Sequence, residues 1–141
     1  FNKRYGANTL ILASKAAGLK IRFISTGVAA VDFALGGGLP KNRICEIRGP
    51  YSAGKSTIAY TSMAAFQRED PNNLCAMIDL ERAYDPAYAG FRGVDNDRVL
   101  LVSADSGEQA VDVINDLTGV SVNLFVVGDS LAALTPSAET L

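Results

Sequence analysis

At 141 residues the chain has room for one domain, and 48% apolar residues give that domain ample material for a core. A net charge of −2 supplies no global basic footprint, so nucleic-acid binding cannot be argued from charge, although a local basic groove stays open. The absence of histidine excludes His triads, His general bases and His metal ligands together.

Residues 3–17 have weak helical character and stop at Gly18. Ile21-Arg22-Phe23-Ile24 reads as a short strand. Val28, Val31 and Leu35 recur at helical spacing, with Thr26 as a candidate cap. Gly36-Gly37-Gly38 ends that helix. Leu39-Pro40-Lys41-Asn42 then turns the chain into a strand, Ile44-Cys45-Glu46-Ile47. After a Gly-rich segment, Ala59, Met63 and Phe66 share one helical face, a spacing that marks core packing rather than a ligand box. Pro71-Asn72-Asn73 breaks that helix. Leu74-Cys75-Ala76-Met77-Ile78 is a continuous apolar run, expected of a strand covered on both faces.

Asp85-Pro86 is an N-cap with proline at the first helical position. Val99-Leu100-Leu101-Val102 is a third core strand. Ser106-Gly107-Glu108-Gln109 fits a capping box, and Ala110, Val113, Ile114 and Leu117 form the helix face behind it. Residues 122–127 are a fourth core strand, followed by a bend at Gly128 and then Asp129-Ser130. Cys45 and Cys75 lie in apolar strand patterns and read as two buried, reduced thiols, since zinc needs more ligands at closer spacing. No apolar run is long enough to span a membrane and no signal peptide is visible. The first residue is Phe1 rather than Met, so the natural start is expected to lie elsewhere.

Strands alternating with amphipathic helices predict an α/β domain, a mainly parallel sheet with helices on both faces. Ligands of such sheets sit at the carboxyl ends of the strands. Gly49-Pro50-Tyr51-Ser52-Ala53-Gly54-Lys55-Ser56-Thr57 occupies one such end and fits G-x-x-x-x-G-K-[ST], the P-loop. Glycine lets the main chain wrap a phosphate with backbone N–H groups, and the next helix aims its positive end at the same oxygens. Lys55 is expected to bridge the β- and γ-phosphates, and the Ser56 hydroxyl to hold Mg²⁺.

Asp129, at the end of an apolar strand, is the expected Mg²⁺ partner, acting through a water. The other reading is a carboxylate solvated at the strand end or capping the next turn. Glu81, just past a neighbouring strand, can orient a water in line with the γ-phosphate. Its other reading is a surface residue paired with Arg82. One acid for the metal and another for water favour an ATPase over a small-molecule kinase.

The chain resembles the RecA family of homologous-recombination ATPases along nearly its whole length. Before the P-loop the resemblance rests on Ile24-Ser25-Thr26-Gly27, Asp32-Phe33-Ala34-Leu35-Gly36, Gly38-Leu39-Pro40 and Glu46-Ile47-Arg48-Gly49-Pro50. After it come Cys75-Ala76-Met77-Ile78-Asp79, Asp85-Pro86-Ala87-Tyr88-Ala89, Gly93-Val94-Asp95 and Gly107-Glu108-Gln109-Ala110. The last is Asp129-Ser130-Leu131-Ala132-Ala133-Leu134-Thr135-Pro136.

The resemblance implies a RecA-type P-loop fold, with residues 1–22 as N-terminal helix and linker and residues 23–141 as the first part of the ATPase core. It places the catalytic glutamate on Glu81, the adenine-contacting acid and tyrosine on Asp85 and Tyr88, and the metal acid on Asp129. ATP and Mg²⁺ are the implied cofactors. A cytoplasmic protein is implied, with no membrane role, that forms homo-oligomeric filaments on single-stranded DNA and exchanges strands with double-stranded DNA. The family's DNA loops, its central strand and its interfacial lysines correspond to regions beyond Leu141, so the sheet is expected to be incomplete within these residues.

Two features depart from the bacterial pattern. Tyr51 stands where the family has an acidic residue, and the Gly36-Gly37-Gly38 turn is one residue shorter. The shorter turn resembles eukaryotic and archaeal recombinases or a divergent phage-encoded member. Other jobs for such a fold are a hexameric helicase, a clock-type regulator, or a nucleotide-binding assembly scaffold with little hydrolysis.

Overall fold

A chain whose apolar runs alternate with amphipathic helices buries both patterns by stacking strands between helix layers. The computed structural model describes residues 2–5 and 21–130. In chain order they form α1 (Asn2–Tyr5), β1 (Phe23–Ile24), α2 (Ala29–Ala34), β2 (Leu39–Pro40), α3 (Lys55–Glu69) and β3 (Leu74–Asp79). Then come α4 (Pro86–Phe91), a 3₁₀ turn at Asn96–Arg98, β4 (Val99–Val102), α5 (Gly107–Thr118) and β5 (Leu124–Asp129). The helix expected over residues 3–17 falls mostly outside the described residues.

β4, β3 and β5 make one parallel sheet in that spatial order. Side chains alternate across it. Cys75 and Met77 face α3 and pack with Met63, Ala64 and Phe66, joined by Phe125 and Val127 from β5. Ile78 points to the other side, where α5 supplies Ala110, Val113, Ile114 and Leu117, with Val102 and Val126 completing the layer. Helices therefore cover both faces, as the alternation predicts. β4 lies at the edge, and its Leu100 and Leu101 are exposed rather than core.

β1 and β2 pair antiparallel as a separate two-stranded sheet. Leu39-Pro40, expected as a turn, is half of that pair. Its register brings Gly38, at φ +112°, so close to β1 that a Cβ there would lie 2.2 Å from the Ile24 carbonyl oxygen. Only glycine fits this crossing. Asp32 fastens α2 to β1 by accepting from Ser25 Oγ (2.5 Å), Thr26 N (2.7 Å) and Thr26 Oγ1 (2.6 Å). Thr26 is thus not the N-cap of α2. Val28 takes that position with no side-chain cap, and the Thr26 hydroxyl accepts from Val28 N one step earlier.

Ile44-Cys45-Glu46-Ile47 is not a strand. A strand pattern states a capacity to pair, and pairing needs a neighbour. Neither sheet of the described residues supplies one. Ile44 is fully exposed, and Cys45 is exposed rather than buried. Cys75 is buried as expected, and burial pushes its thiol up to about 12. No bend interrupts β5 at Gly128: it stays in register with Ile78 and the strand runs on to Asp129.

Candidate functional site

The Gly-rich segment ends in the left-handed region. Gly54, at φ +89°, is the N-cap of α3, and Lys55 is the first helical residue. Glycine makes that sharp entry without strain. The 15-residue helix then aims its free N–H groups back over the loop. Lys55 Nζ donates to the carbonyl oxygens of Gly49 (3.2 Å) and Pro50 (3.0 Å), so its ammonium sits against the loop that precedes it. Tyr51, Ser52 and Ala53 are exposed, with Tyr51 almost wholly so.

The two acid-bearing strand ends lie side by side. Parallel pairing of β3 with β5 sets Asp79 beside Asp129. Ser56 Oγ donates to Asp129 Oδ2 at 2.6 Å, although 73 residues separate them. A hydroxyl and a carboxylate oxygen at this spacing are hard donors, which suit Mg²⁺. No group of three or more Cys, Asp or Glu that could hold a metal occurs among the described residues. A cation here would take its other ligands from phosphate and water, the usual manner of Mg²⁺.

Glu81 lies two residues past β3. Its Oε1 accepts from Ser130 Oγ at 2.7 Å, which ties it to the end of β5. Arg82 pairs instead with Asp105, at 3.4 Å and in full solvent. Asp79 is buried and accepts from Ala83 N and Tyr84 N, each at 2.9 Å, which curls the loop carrying Glu81.

Asp85 Oδ1 accepts from Ala87 N (2.9 Å) and Tyr88 N (3.0 Å), capping α4 as its Asp-Pro pair predicts. Tyr88 leaves α4 toward α3, and its phenol lies 2.9 Å from Thr57 Oγ1. Arg92 donates to the same phenol oxygen at 2.8 Å, with its guanidinium carbon 4.9 Å from the ring centroid. The Thr57 bond first, and then the Arg92 bond, hold the Tyr88 phenol below its ordinary pKa. Tyr60 and Tyr84 pack beneath, edge to face, and burial raises both phenols, Tyr84 to about 12.

The structure thus joins Ser56 with Asp129, and Thr57 with Tyr88. Lys55 is engaged with its own loop, and Asp85 with its own helix. Two contributors were not singled out from the sequence: Ser130 on Glu81 and Arg92 on Tyr88. Ser130 directly follows the strand-end acid, and Arg92 stands four residues after Tyr88 on a helix, where side chains meet. Those two signals were available. Among the described residues no helix is long and apolar enough to cross a membrane.

The chain matches the RecA N-terminal domain family over residues 1–140. It is 45% identical over 139 residues to Protein RecA of Psychrobacter cryohalolentis, covering 97% of this chain and 39% of that protein. It is 41% identical over 137 residues to Protein RecA of Synechococcus elongatus, covering 97% and 38%. Identity to Protein RecA of Chlorobium chlorochromatii is 44% over 139 residues, covering 97% and 39%. The chain therefore spans about two fifths of the length of these relatives.

Proposed function

The chain belongs to the RecA family, and on that footing we propose that it carries the nucleotide site of an ATP-dependent DNA recombinase. On this reading the whole protein binds and hydrolyses ATP with Mg²⁺ and assembles as a homo-oligomeric filament on single-stranded DNA. It then pairs that strand with homologous double-stranded DNA and exchanges strands in DNA repair. The observation that carries the reading is the Ser56–Asp129 bond beside the Glu81–Ser130 bond, which gathers a P-loop hydroxyl and two separated acids at adjoining strand ends.

Each residue then has a task. Backbone N–H groups of residues 49–54 and the start of α3 hold phosphate oxygens. Lys55 leaves the Gly49 and Pro50 carbonyls for the β- and γ-phosphates. Ser56 would hold Mg²⁺ directly and Asp129 through a water, and the bound ion would neutralise charge developing on the phosphates. Glu81 accepts a hydrogen bond from a water and aligns it with the γ-phosphorus, while Ser130 fixes the carboxylate's direction. Asp85 and Tyr88 contact the adenine.

The test is ATP turnover by the full-length protein with and without single-stranded DNA. Lys55→Ala should lose most triphosphate binding. Glu81→Gln should bind ATP nearly as well as the parent and hydrolyse it at least about a hundredfold more slowly, since it acts on the transition state. Turnover indifferent to DNA would point to another RecA-fold ATPase. Absent turnover with intact binding would point to an assembly scaffold.

A further inference from the structure

Arg92 lies outside the P-loop and both strand ends, yet it terminates a hydrogen-bonded chain that reaches the P-loop at Thr57. Its backbone N–H closes α4 on the Tyr88 and Ala89 carbonyls, each at 3.0 Å, so its side chain emerges one turn after Tyr88. There it donates to the phenol oxygen and covers the ring. Its Nε is buried with no hydrogen-bond partner. Burying an unpaired N–H costs free energy, which the phenol bond and the ring contact must offset.

The direction of the chain follows from donor chemistry. A guanidinium has donors and no acceptor, whereas a phenol has one proton and can also accept. Tyr88 accepts from Arg92 and cannot give its proton back. The remaining neighbour of the phenol is Thr57 Oγ1, 2.9 Å away. If Tyr88 donates to that oxygen, the phenol both accepts and donates. If Thr57 donated instead, the proton of the half-buried phenol would have to go to solvent. With Tyr88 as the donor, Thr57 receives and its own proton turns away from Tyr88. Thr57 is the third residue of α3 and the last of the P-loop, and its proton is left for an acceptor at the loop.

We propose that Arg92 is a positioning residue that, through the Tyr88 phenol, orients the Thr57 hydroxyl as a donor to a phosphate oxygen of the bound nucleotide. This rests on reading residues 49–57 as a nucleotide site. It adds a control point outside the motif.

The experiment measures calorimetric binding of Mg²⁺ and a non-hydrolysable ATP analogue, AMP-PNP, to the full-length protein, with thermal unfolding of each variant as a folding control. Arg92→Met keeps the side chain's bulk and removes its donors. It should weaken binding roughly three- to tenfold, the range of one hydrogen bond. Arg92→Lys, still donor-only, should stay within about twofold of the parent. In a Tyr88→Phe background, which lacks the phenol, Arg92→Met should cost nothing more. Parental affinity in Arg92→Met would overturn the proposal, as would an undiminished Arg92→Met loss in the Tyr88→Phe background, which would mean packing. Should Arg92→Met fold poorly, Tyr88→Phe alone decides: it must lose a similar factor, and full affinity there refutes the relay. Lys55→Ala separates the layers. If it binds AMP-PNP as the parent does, the site reading fails and the relay with it. If it loses binding while Arg92→Met does not, only the relay falls.

Discussion

Ser130→Ala removes one hydroxyl and isolates what positioning contributes to the Glu81 carboxylate. Ser130 Oγ is 2.7 Å from Glu81 Oε1, a short hydroxyl-to-carboxyl bond. A hydrogen bond to a charged group contributes about 1.5–3 kcal/mol when shielded. This one is exposed, so about 1 kcal/mol is the reasonable scale, or about fivefold in rate. On the proposed reading, Glu81 without it should sample rotamers that do not face the γ-phosphorus, and the fraction of productive complexes should fall. Affinity should change little, because on the proposed reading the carboxylate acts on the attacking water rather than on ground-state binding. The assay is steady-state ATP hydrolysis by the full-length protein on single-stranded DNA, with KM and kcat separated. Ser130→Ala should lower kcat roughly three- to tenfold at constant KM, and Ser130→Thr, which keeps the hydroxyl, should recover most of it. In Glu81→Gln, where the carboxylate is gone, Ser130→Ala should add less than about twofold. An unchanged kcat in Ser130→Ala, or a full loss persisting in the Glu81→Gln background, would refute the positioning argument.

Three further outcomes are expected. Asp32 is held below the usual carboxylate range by hydrogen bonds from Ser25 and then Thr26, so its contribution to stability is present above the unfolded pKa of about 3.9 and is lost as pH falls through the folded one. Asp32→Asn should therefore unfold at a lower temperature than the parent at pH 7, and the gap should shrink on acidification below about pH 4; a gap constant down to pH 2 would contradict this. Arg98 donates through one guanidinium nitrogen to the Gln67, Asp70 and Pro71 carbonyls and through Nε to Asp95, so Arg98→Ala should destabilise by about 2–3 kcal/mol in urea titration, and a loss under about 0.5 kcal/mol would mean water replaces it. In the folded 141-residue chain a thiol reagent should modify the exposed Cys45 rapidly and Cys75 only after unfolding, because burial holds the Cys75 thiol at about 12; equal labelling by mass spectrometry would show the core around β3 to be open.

Local chemistry was legible in the residues, and pairing was not. Asp85-Pro86 and Ser106 signal helix starts through atoms within four residues, and both caps form. The apolar runs of β3 and β5 read as strands because their side chains match the pleat and cover both faces. Ile44-Cys45-Glu46-Ile47 carries the same kind of pattern and is not a strand, since a pattern says what a segment can pair with and not whether a partner lies beside it. Thr26 failed as a cap for a related reason: its hydroxyl is committed to Asp32, six residues on. Ser130 and Glu81 are 49 positions apart, and nothing in either residue's neighbourhood names the other.

What connects them is register, and register is set by packing. Phe125 and Val127 face α3 while Val126 faces α5, and this alternation excludes any odd slip of β5 against β3. A slip of one residue would turn every β5 side chain to the wrong face. In the observed pairing Asp129 stands beside Asp79, so the residues just past each strand, Ser130 and Glu81, come within hydrogen-bonding reach. The same pairing presents Asp129 to the start of α3, where Ser56 meets it. The hydrophobic alternation of β5 thus does two things at once. It closes the core on both sides of the sheet, and it places the carboxylates on which the proposed chemistry depends. A substitution that kept all the polar residues but loosened that alternation should damage the site as surely as removing Asp129.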